Sequence, residues 1–414
     1  MTIVTDSQRR FSRDEYFQDP QRYFTRLREE RPVAPLDLPG SGRAWLVTRY
    51  EDVRAGLADP RLAKDPRKLY PHWEPGPVQA MFNLHMLNLD PPDHTRLRRL
   101  VQKAFTPGRV SALRPRVEAI TVALLDATEA IAAKSDDGVV DLLDQFAFRL
   151  PITVICELLG VPARDQDDFR EWTSALLSPG QPQADAEQGP DGSRDAAHAM
   201  FDYFTQLIAA KRTSPADDLL SALISVRDGA GQGDALSEGE LYAMVFLLLV
   251  AGFETTVNLI ASGTLALLTF PDQMARLRAD PALLPAAVEE LLRYTNPLNH
   301  ATERFTVADL PIGDVVIPAG EYVTLVTSSA NRDPDRFGHP DQLDLSRDAS
   351  GHVAFGHGIH YCLGAPLARL EGEVAFGALL PRFPSLSLAV APSQLRWRPS
   401  SLFHGLESLP VRLG

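Results

Sequence analysis

Cysteine is nearly absent: only Cys156 and Cys362 occur among 414 residues. That count excludes a disulfide framework and a cysteine-rich zinc module. It also excludes a four-cysteine iron–sulfur cluster within this chain. Residues Met1 to Arg10 form no apolar signal core, so the two thiols are expected to stay reduced in a cytoplasmic protein. Positive charge is in deficit, 41 Lys and Arg against 54 Asp and Glu, for a net charge of -13. A chain that acidic is a poor general partner for nucleic acid or anionic membrane. Long apolar runs are missing too. The longest near-apolar run, Leu241 to Phe253, falls short of the ~20 residues a membrane span needs. There is no internal repeat of solenoid length. The expectation is a soluble monomer.

Hydrophobic residues make up 44% of the chain, enough for a core without staples. Pro20 to Glu30 has a helical pattern, and short strand-like pieces follow near Val33 and Ala44–Thr48. Apolar residues then recur at three- and four-residue spacing over Arg109–Lys134, Asp141–Gly160, Ala196–Arg212 and Asp217–Arg227. From Phe305 the period shortens. Phe305–Val307, Val315–Ile317 and Tyr322–Val326 read as strands, as do Leu386–Val390, Leu395–Arg398 and Leu409–Leu413. Stretches rich in Pro and Gly, Ser178–Gly192 and Asp228–Gly233, read as loops. No composition shift marks a linker. The fold class expected is mainly α with a minor β part, as a single domain over 1–414.

Ser237-Glu238-Gly239-Glu240 is a capping-box pattern, and Pro271 marks a stop. A helix from about Glu238 to Thr269 would be ~48 Å long and apolar on most faces, a core helix. Its middle, Ala251-Gly252-Phe253-Glu254-Thr255-Thr256, breaks that pattern. A buried acid and two threonines are costly unless satisfied or used. Thr255 can bond back to the carbonyl of Ala251 and loosen the turn. Gly252 removes a side chain that would keep a ligand away. A kink with a solvated acid fits these residues equally well.

The second irregular segment is Phe355-Gly356-His357-Gly358-Ile359-His360-Tyr361-Cys362-Leu363-Gly364, followed by a helical pattern to Leu380. Its glycines permit a tight turn that delivers Cys362 near a helix N-terminus, where a thiolate is favoured. Such a thiolate can be a nucleophile or an axial ligand to haem iron. A lone cysteine can equally be a small core residue.

Phe355-x-x-Gly358-x-x-x-Cys362-x-Gly364 resembles the haem-binding loop of the cytochrome P450 family, the haem-thiolate monooxygenases. Three further motifs stand in that family's order. Ala251-Gly252-x-Glu254-Thr255-Thr256 resembles its oxygen-binding helix, Glu290-Leu291-Leu292-Arg293 its Glu-x-x-Arg helix, and Asn331-Arg332-Asp333-Pro334 its meander. The resemblance covers nearly the whole chain. It is closest to soluble actinobacterial macrolide and polyketide hydroxylases, through stretches such as Leu150 to Pro162. It implies the P450 fold, with haem b between the long central helix and the helix after the cysteine loop.

The resemblance also implies roles. Cys362 is the iron ligand, with Leu363 and Gly364 N–H groups near the sulfur and Phe355 shielding it. His94 and Arg98, on one helix face after Asp90-Pro91-Pro92-Asp93, would hold a haem propionate, and His360 and Arg304 would do so from the other side. Glu254 and Thr255 would be catalytic, delivering protons to oxygen. Leu247, Val250, Ala251, Leu298, Asn299, His300, Leu402 and Phe403 would line the substrate pocket, roofed by Met81, Phe82, Leu84, Met86 and Leu87. Glu290 and Arg293 would be buried, but Gln342 stands where the family often supplies a third, basic partner.

The implied activity inserts one atom of O2 into a bulky, largely apolar molecule, by hydroxylation or epoxidation, in antibiotic biosynthesis. Electrons would come from NAD(P)H through a ferredoxin reductase and a ferredoxin, docking on a basic patch of Arg96, Arg99, Lys103 and Arg369. The alternatives are a non-catalytic haem carrier or gas sensor, and a peroxide-driven enzyme of the same fold. Neither requires the Glu254–Thr255 pair.

Overall fold

The structure is a computed structural model that describes residues 13–38, 42–102, 105–176, 191–229 and 235–414. Most of the two expected loops, 177–190 and 230–233, lies outside the described residues.

Helix starts follow local chemistry. The Pro20–Glu30 helix has Pro in its first turn, and Asp19 Oδ1 accepts from the Arg22 N–H at 3.2 Å. The central helix runs Glu238–Thr269. Its capping box is reciprocal: Glu240 N–H donates to Ser237 Oγ at 3.2 Å, and Ser237 N–H to Glu240 Oε2 at 2.8 Å. The helix as a whole is long and apolar enough to cross a membrane, although the run within it looked too short. However, 72% of its most apolar window is already buried by protein, as expected of a core helix.

Three expectations shift. The Arg109–Lys134 pattern forms two helices, Pro107–Ala112 and Arg114–Ala132, because Pro115 lacks an amide donor and starts a new first turn. Asp141 ends a strand instead of opening a helix. Its Oδ1 accepts from Leu143 N–H at 3.0 Å, and a π-helical turn, Leu143–Ala147, precedes the Arg149–Leu159 helix. Leu395–Arg398 is not a strand. It contributes only an isolated bridge, Trp397 to Leu406, since Pro399 breaks the ladder.

Among the described residues, ten short strands are β1 (Val33–Leu38), β2 (Gly42–Val47), β3 (Leu62–Ala63), β4 (Val139–Asp141), β5 (Arg304–Thr306), β6 (Leu310–Ile312), β7 (Val315–Ile317), β8 (Tyr322–Leu325), β9 (Ser387–Leu388) and β10 (Pro410–Arg412). They form sheets of order β1-β2-β8-β5-β3, β4-β10-β9 and β6-β7. The β1–β2 hairpin is antiparallel with Leu36 opposite Ala44, and β2 pairs with β8 in parallel.

The chain divides into two compact units. One comprises Met1–Leu62, Pro107–Pro151 and Glu254–Gly414. In it the second half of the central helix packs on the Ala365–Arg382 helix through glycines. A Cβ at Gly263 would stand 2.6 Å from Phe376, so only glycine allows that approach. The other unit comprises Ala63–Thr106 and Ile152–Phe253. Its core includes an aromatic cluster in which Phe169 meets Trp172 and Tyr203 edge-on, at 5.2 and 5.0 Å.

Candidate active site

The Cys362 loop is built by backbone geometry. Gly356 and Gly358 adopt φ of 73° and 74°, a region side chains rarely enter. A Cβ on Gly358 would also stand 3.0 Å from Leu57 O and Ala58 Cα. The Cys362 N–H donates to Phe355 O at 2.9 Å, closing the loop. Ala365–Arg382 then begins three residues later. The result is one exposed thiol, Cys362, while Cys156 is fully buried. Phe355 is half-buried, with the Arg369 guanidinium 4.6 Å from its ring centroid.

The loop rests on a buried polar frame. Asn331 Oδ1 accepts from Val353 N–H at 2.8 Å, and Asp333 Oδ2 from Tyr50 N–H at 2.8 Å. Arg293 and Glu290 are wholly enclosed and paired in two places, Nε to Oε2 at 2.7 Å and Nη2 to Oε1 at 2.8 Å. Arg293 Nη1 also donates to the carbonyls of Asn331 and Pro340. The third partner is Arg347, whose Nε donates to Glu290 Oε1 at 3.2 Å. Gln342 contributes its main-chain carbonyl, accepting from Arg293 and Arg347. The charge expected at residue 342 therefore comes from five residues further on.

Along the central helix, residues 241–245 and 256–264 are buried, but Ala251 is exposed and Val250 and Thr255 are half-buried. An exposed alanine in such a helix marks open space beside it. Leu247 is buried. Gly252 does not face that space. A Cβ there would meet Ile155 Cδ1 and Cγ1 at 2.8 Å, so this glycine serves helix packing and not ligand access. Glu254 is buried, and its carboxylate is neither solvated nor alone, because Arg398 Nη2 donates to Oε1. The same Nη2 donates to Asn258 Oδ1 at 3.0 Å.

Two segments expected to give separate walls of the pocket, 298–300 and 402–403, contact each other. Leu298 and Phe403 form a bridge, Asn299 N–H donates to Leu402 O at 2.7 Å, and Asn299 Nδ2 to Ser401 O at 3.1 Å. His300 is buried with Nδ1 2.8 Å from Ala301 O, while Nε2 has no protein partner. Burial pushes its pKa down, so the ring is neutral near pH 7. Arg304, at the start of β5, is buried with Nη1 donating to Leu62 O at 3.4 Å. His360 is half-buried within the Cys362 loop, two residues before the thiol.

In the other unit, the Asp93–Gln102 helix carries His94, buried, and Arg98, half-buried, one turn apart. Among the expected roof residues, Met81 has no exposed surface and is plain core. Sequence reasoning passed over His85 in that same stretch. It is buried and stacked on Phe246 at 6.3 Å, and burial, with help from Lys64, holds its pKa down to about 3.

The family model for cytochrome P450 matches residues 191–389. Cytochrome P450 107B1 of Saccharopolyspora erythraea is 53% identical to this chain over 97% of it and 96% of that protein. The chain belongs to the cytochrome P450 family. The 6-deoxyerythronolide B hydroxylase of the same organism is 45% identical to this P450, covering 100% of both chains. The tirandamycin C-bound P450 monooxygenase TamI superposes with a TM-score of 0.86 at 50% identity, over 97% of this P450 and 99% of that chain. This P450 is therefore a haem-iron monooxygenase with the P450 fold. It acts with O2 and redox partners on a small molecule.

The residues present fit haem. They offer an exposed thiol for iron in a loop that glycines hold open, and cationic side chains such as the buried Arg304 guanidinium for carboxylates. The basic patch fits less well. Arg96 is ion-paired with Glu240 and donates to Ala235 O at 3.0 Å. Arg369 is doubly bonded to Glu289 at 2.6 and 2.8 Å. Against its burial, Arg369 and His352 hold the Glu289 carboxyl at about 2, so the pair carries no net charge. Arg99 is exposed, and Lys103 lies outside the described residues.

Proposed function

We propose that this P450 oxygenates a bulky, neutral, largely apolar molecule of the macrolide or polyketide kind, by hydroxylation or epoxidation, in secondary metabolism. Electrons come from NAD(P)H by way of a ferredoxin reductase and a ferredoxin. The chain acts as one domain, monomeric and cytoplasmic. The observation that carries the reading is the exposed Cys362 thiol in a loop whose turn is made by Gly356 and Gly358 at positive φ.

Cys362, as thiolate, would hold the haem iron, with Phe355 and the Gly364 backbone beside the sulfur. His94, Arg98, Arg304 and His360 would hold the haem carboxylates. When bound, haem iron supplies activation of O2, of which one atom enters the substrate and the other leaves as water. Glu254 and Thr255 hold and pass the protons that this requires. Leu247, Val250, Ala251, Leu298, Asn299, Leu402 and Phe403 form the lining, and His300 Nε2 is the polar handle for a ligand hydroxyl or carbonyl. The 6-deoxyerythronolide B in the name of one relative, the polyketide biosynthesis in that of another and the tirandamycin C bound to a third support that class. An apolar lining with a neutral histidine supports a neutral ligand, since a buried unpaired carboxylate is expensive.

The test is ligation. The reduced protein with carbon monoxide should show the red-shifted band of thiolate-bound haem. Cys362→Ala should lose that band and Cys156→Ala should keep it. A band that survives Cys362→Ala sinks the assignment.

A further inference from the structure

Glu254, Asn258 and Ser262 recur every four residues and so share one face of the central helix. All three are buried. Arg398 joins the first two through a single nitrogen, Nη2. Its side chain is 35% exposed, against 6% for Glu254. One guanidinium thus reaches from the surface to the buried acid. Three enclosed polar atoms along this line, Arg398 Nε, Asn258 Nδ2 and Ser262 Oγ, have no protein partner. Buried donors left unpaired are rare, and polar sites of this kind are where internal water settles.

The arm that carries Arg398 is fixed. Trp397 and His404 stack at 4.0 Å and 7°, Arg398 N–H donates to Gly405 O at 2.8 Å, and His404 N–H to Pro297 O at 3.0 Å. Gly405 is part of the fit, because a Cβ there would collide with Asn258 Oδ1 and Arg398 Nη2.

We propose that Arg398 is a positioning residue that, with Asn258, holds the Glu254 carboxylate at the inner end of a proton-entry path opening beside the 397–406 arm. The inference rests on the reading that Glu254 supplies protons. The Glu254 carboxylate takes a proton relayed from bulk hydronium through water on the Arg398 side and gives it up toward the Thr255 hydroxyl. Each relaying water passes on one proton as it gains another, so no hydroxide is left in the path. Arg398 keeps its own proton throughout, as a guanidinium does. Its positive charge keeps the carboxylate turned toward the water from which it is recharged.

The experiment compares Arg398→Gln, Arg398→Lys, Gly405→Ala and Glu254→Gln in the holoprotein. Product formation, peroxide release and NAD(P)H use are followed in H2O and D2O. Removing a general acid costs on the order of 100-fold or more, and a residue acting through it less, so Arg398→Gln should slow product formation ~10-fold. Its solvent isotope effect should rise with haem content unchanged. Arg398→Lys should restore most of the rate. Gly405→Ala, which alters no polar group, should move the isotope effect in the same direction. A second readout needs no turnover: thermal midpoints of Glu254→Gln, Arg398→Gln and the double variant should be strongly non-additive. An unchanged isotope effect in Arg398→Gln, with a large change in Glu254→Gln, overturns the proposal but leaves the acid in place. If Glu254→Gln is also silent, the acid reading itself fails. Additive midpoint shifts overturn the clamp.

Discussion

Glu371 lies on the helix that follows the Cys362 loop, fully buried, with Oε2 lacking any protein partner. Burial pushes its carboxyl up to about 8, so it is mostly protonated at neutral pH. An unfolded glutamate ionises near pH 4.3. Between these values the folded chain holds a proton that the unfolded chain releases. Stability from this group is therefore complete below about pH 4.3 and is lost as pH rises toward 8. About 5 kcal/mol is at stake across that window. Thermal midpoints of wild type and Glu371→Gln, compared from pH 5 to 8, should diverge, with wild type losing ground as pH rises. Parallel curves would mean that the carboxyl is ionised in the fold. Nothing at residue 371 marks it in the sequence, because an acid on a helix reads as a solvated face until its neighbours enclose it.

Within the central helix, Gly252 shows where sequence logic and packing part. The sequence suggests a gap left for a ligand, but Ile155 occupies that side. Gly252→Ala should therefore cost about 1–3 kcal/mol of stability through overpacking, less a helix-propensity gain of about 0.8 kcal/mol, with little change in substrate affinity. Ile155→Ala, which makes room, should recover part of the loss in the double variant. A Gly252→Ala protein with normal stability and weakened substrate binding would restore the ligand-access reading. The helix itself was legible because its signals are local: Ser237 and Glu240 cap it, and Pro271 opens the next helix. The Glu290–Arg293 pair was legible for the same reason, being three residues apart. Arg347 and Arg398 were not, since they reach their carboxylates over 57 and 144 residues of sequence. Only Asn258, one turn after Glu254, left a trace in the spacing.

At the scale of the whole molecule, the two thiols differ in a way that a reagent can count. The motif around Cys362 was readable because glycine, phenylalanine and cysteine at fixed offsets encode a local loop. Propionate partners were readable only by resemblance, since no local rule separates Arg304 from a surface arginine until the fold buries it. Cys156 is fully enclosed, and burial pushes its thiol up to about 12, so it offers almost no thiolate to attack a reagent. Cys362 is exposed in the protein chain itself. Iron ligation would remove its nucleophilicity and cover it. Haem-depleted, folded protein should therefore take up one equivalent of an aromatic disulfide reagent quickly. The haem-loaded protein should take up none on that timescale, and denatured protein should take up two. Loading should also raise the thermal midpoint in proportion to the logarithm of free haem, because a ligand bound only by the folded state stabilises it by mass action. Cys362→Ser should abolish the fast equivalent in the depleted protein and leave the denatured count at one. A loaded protein that still reacts at one equivalent would show that Cys362 does not ligate iron, and one whose midpoint ignores haem would show that binding and folding are uncoupled.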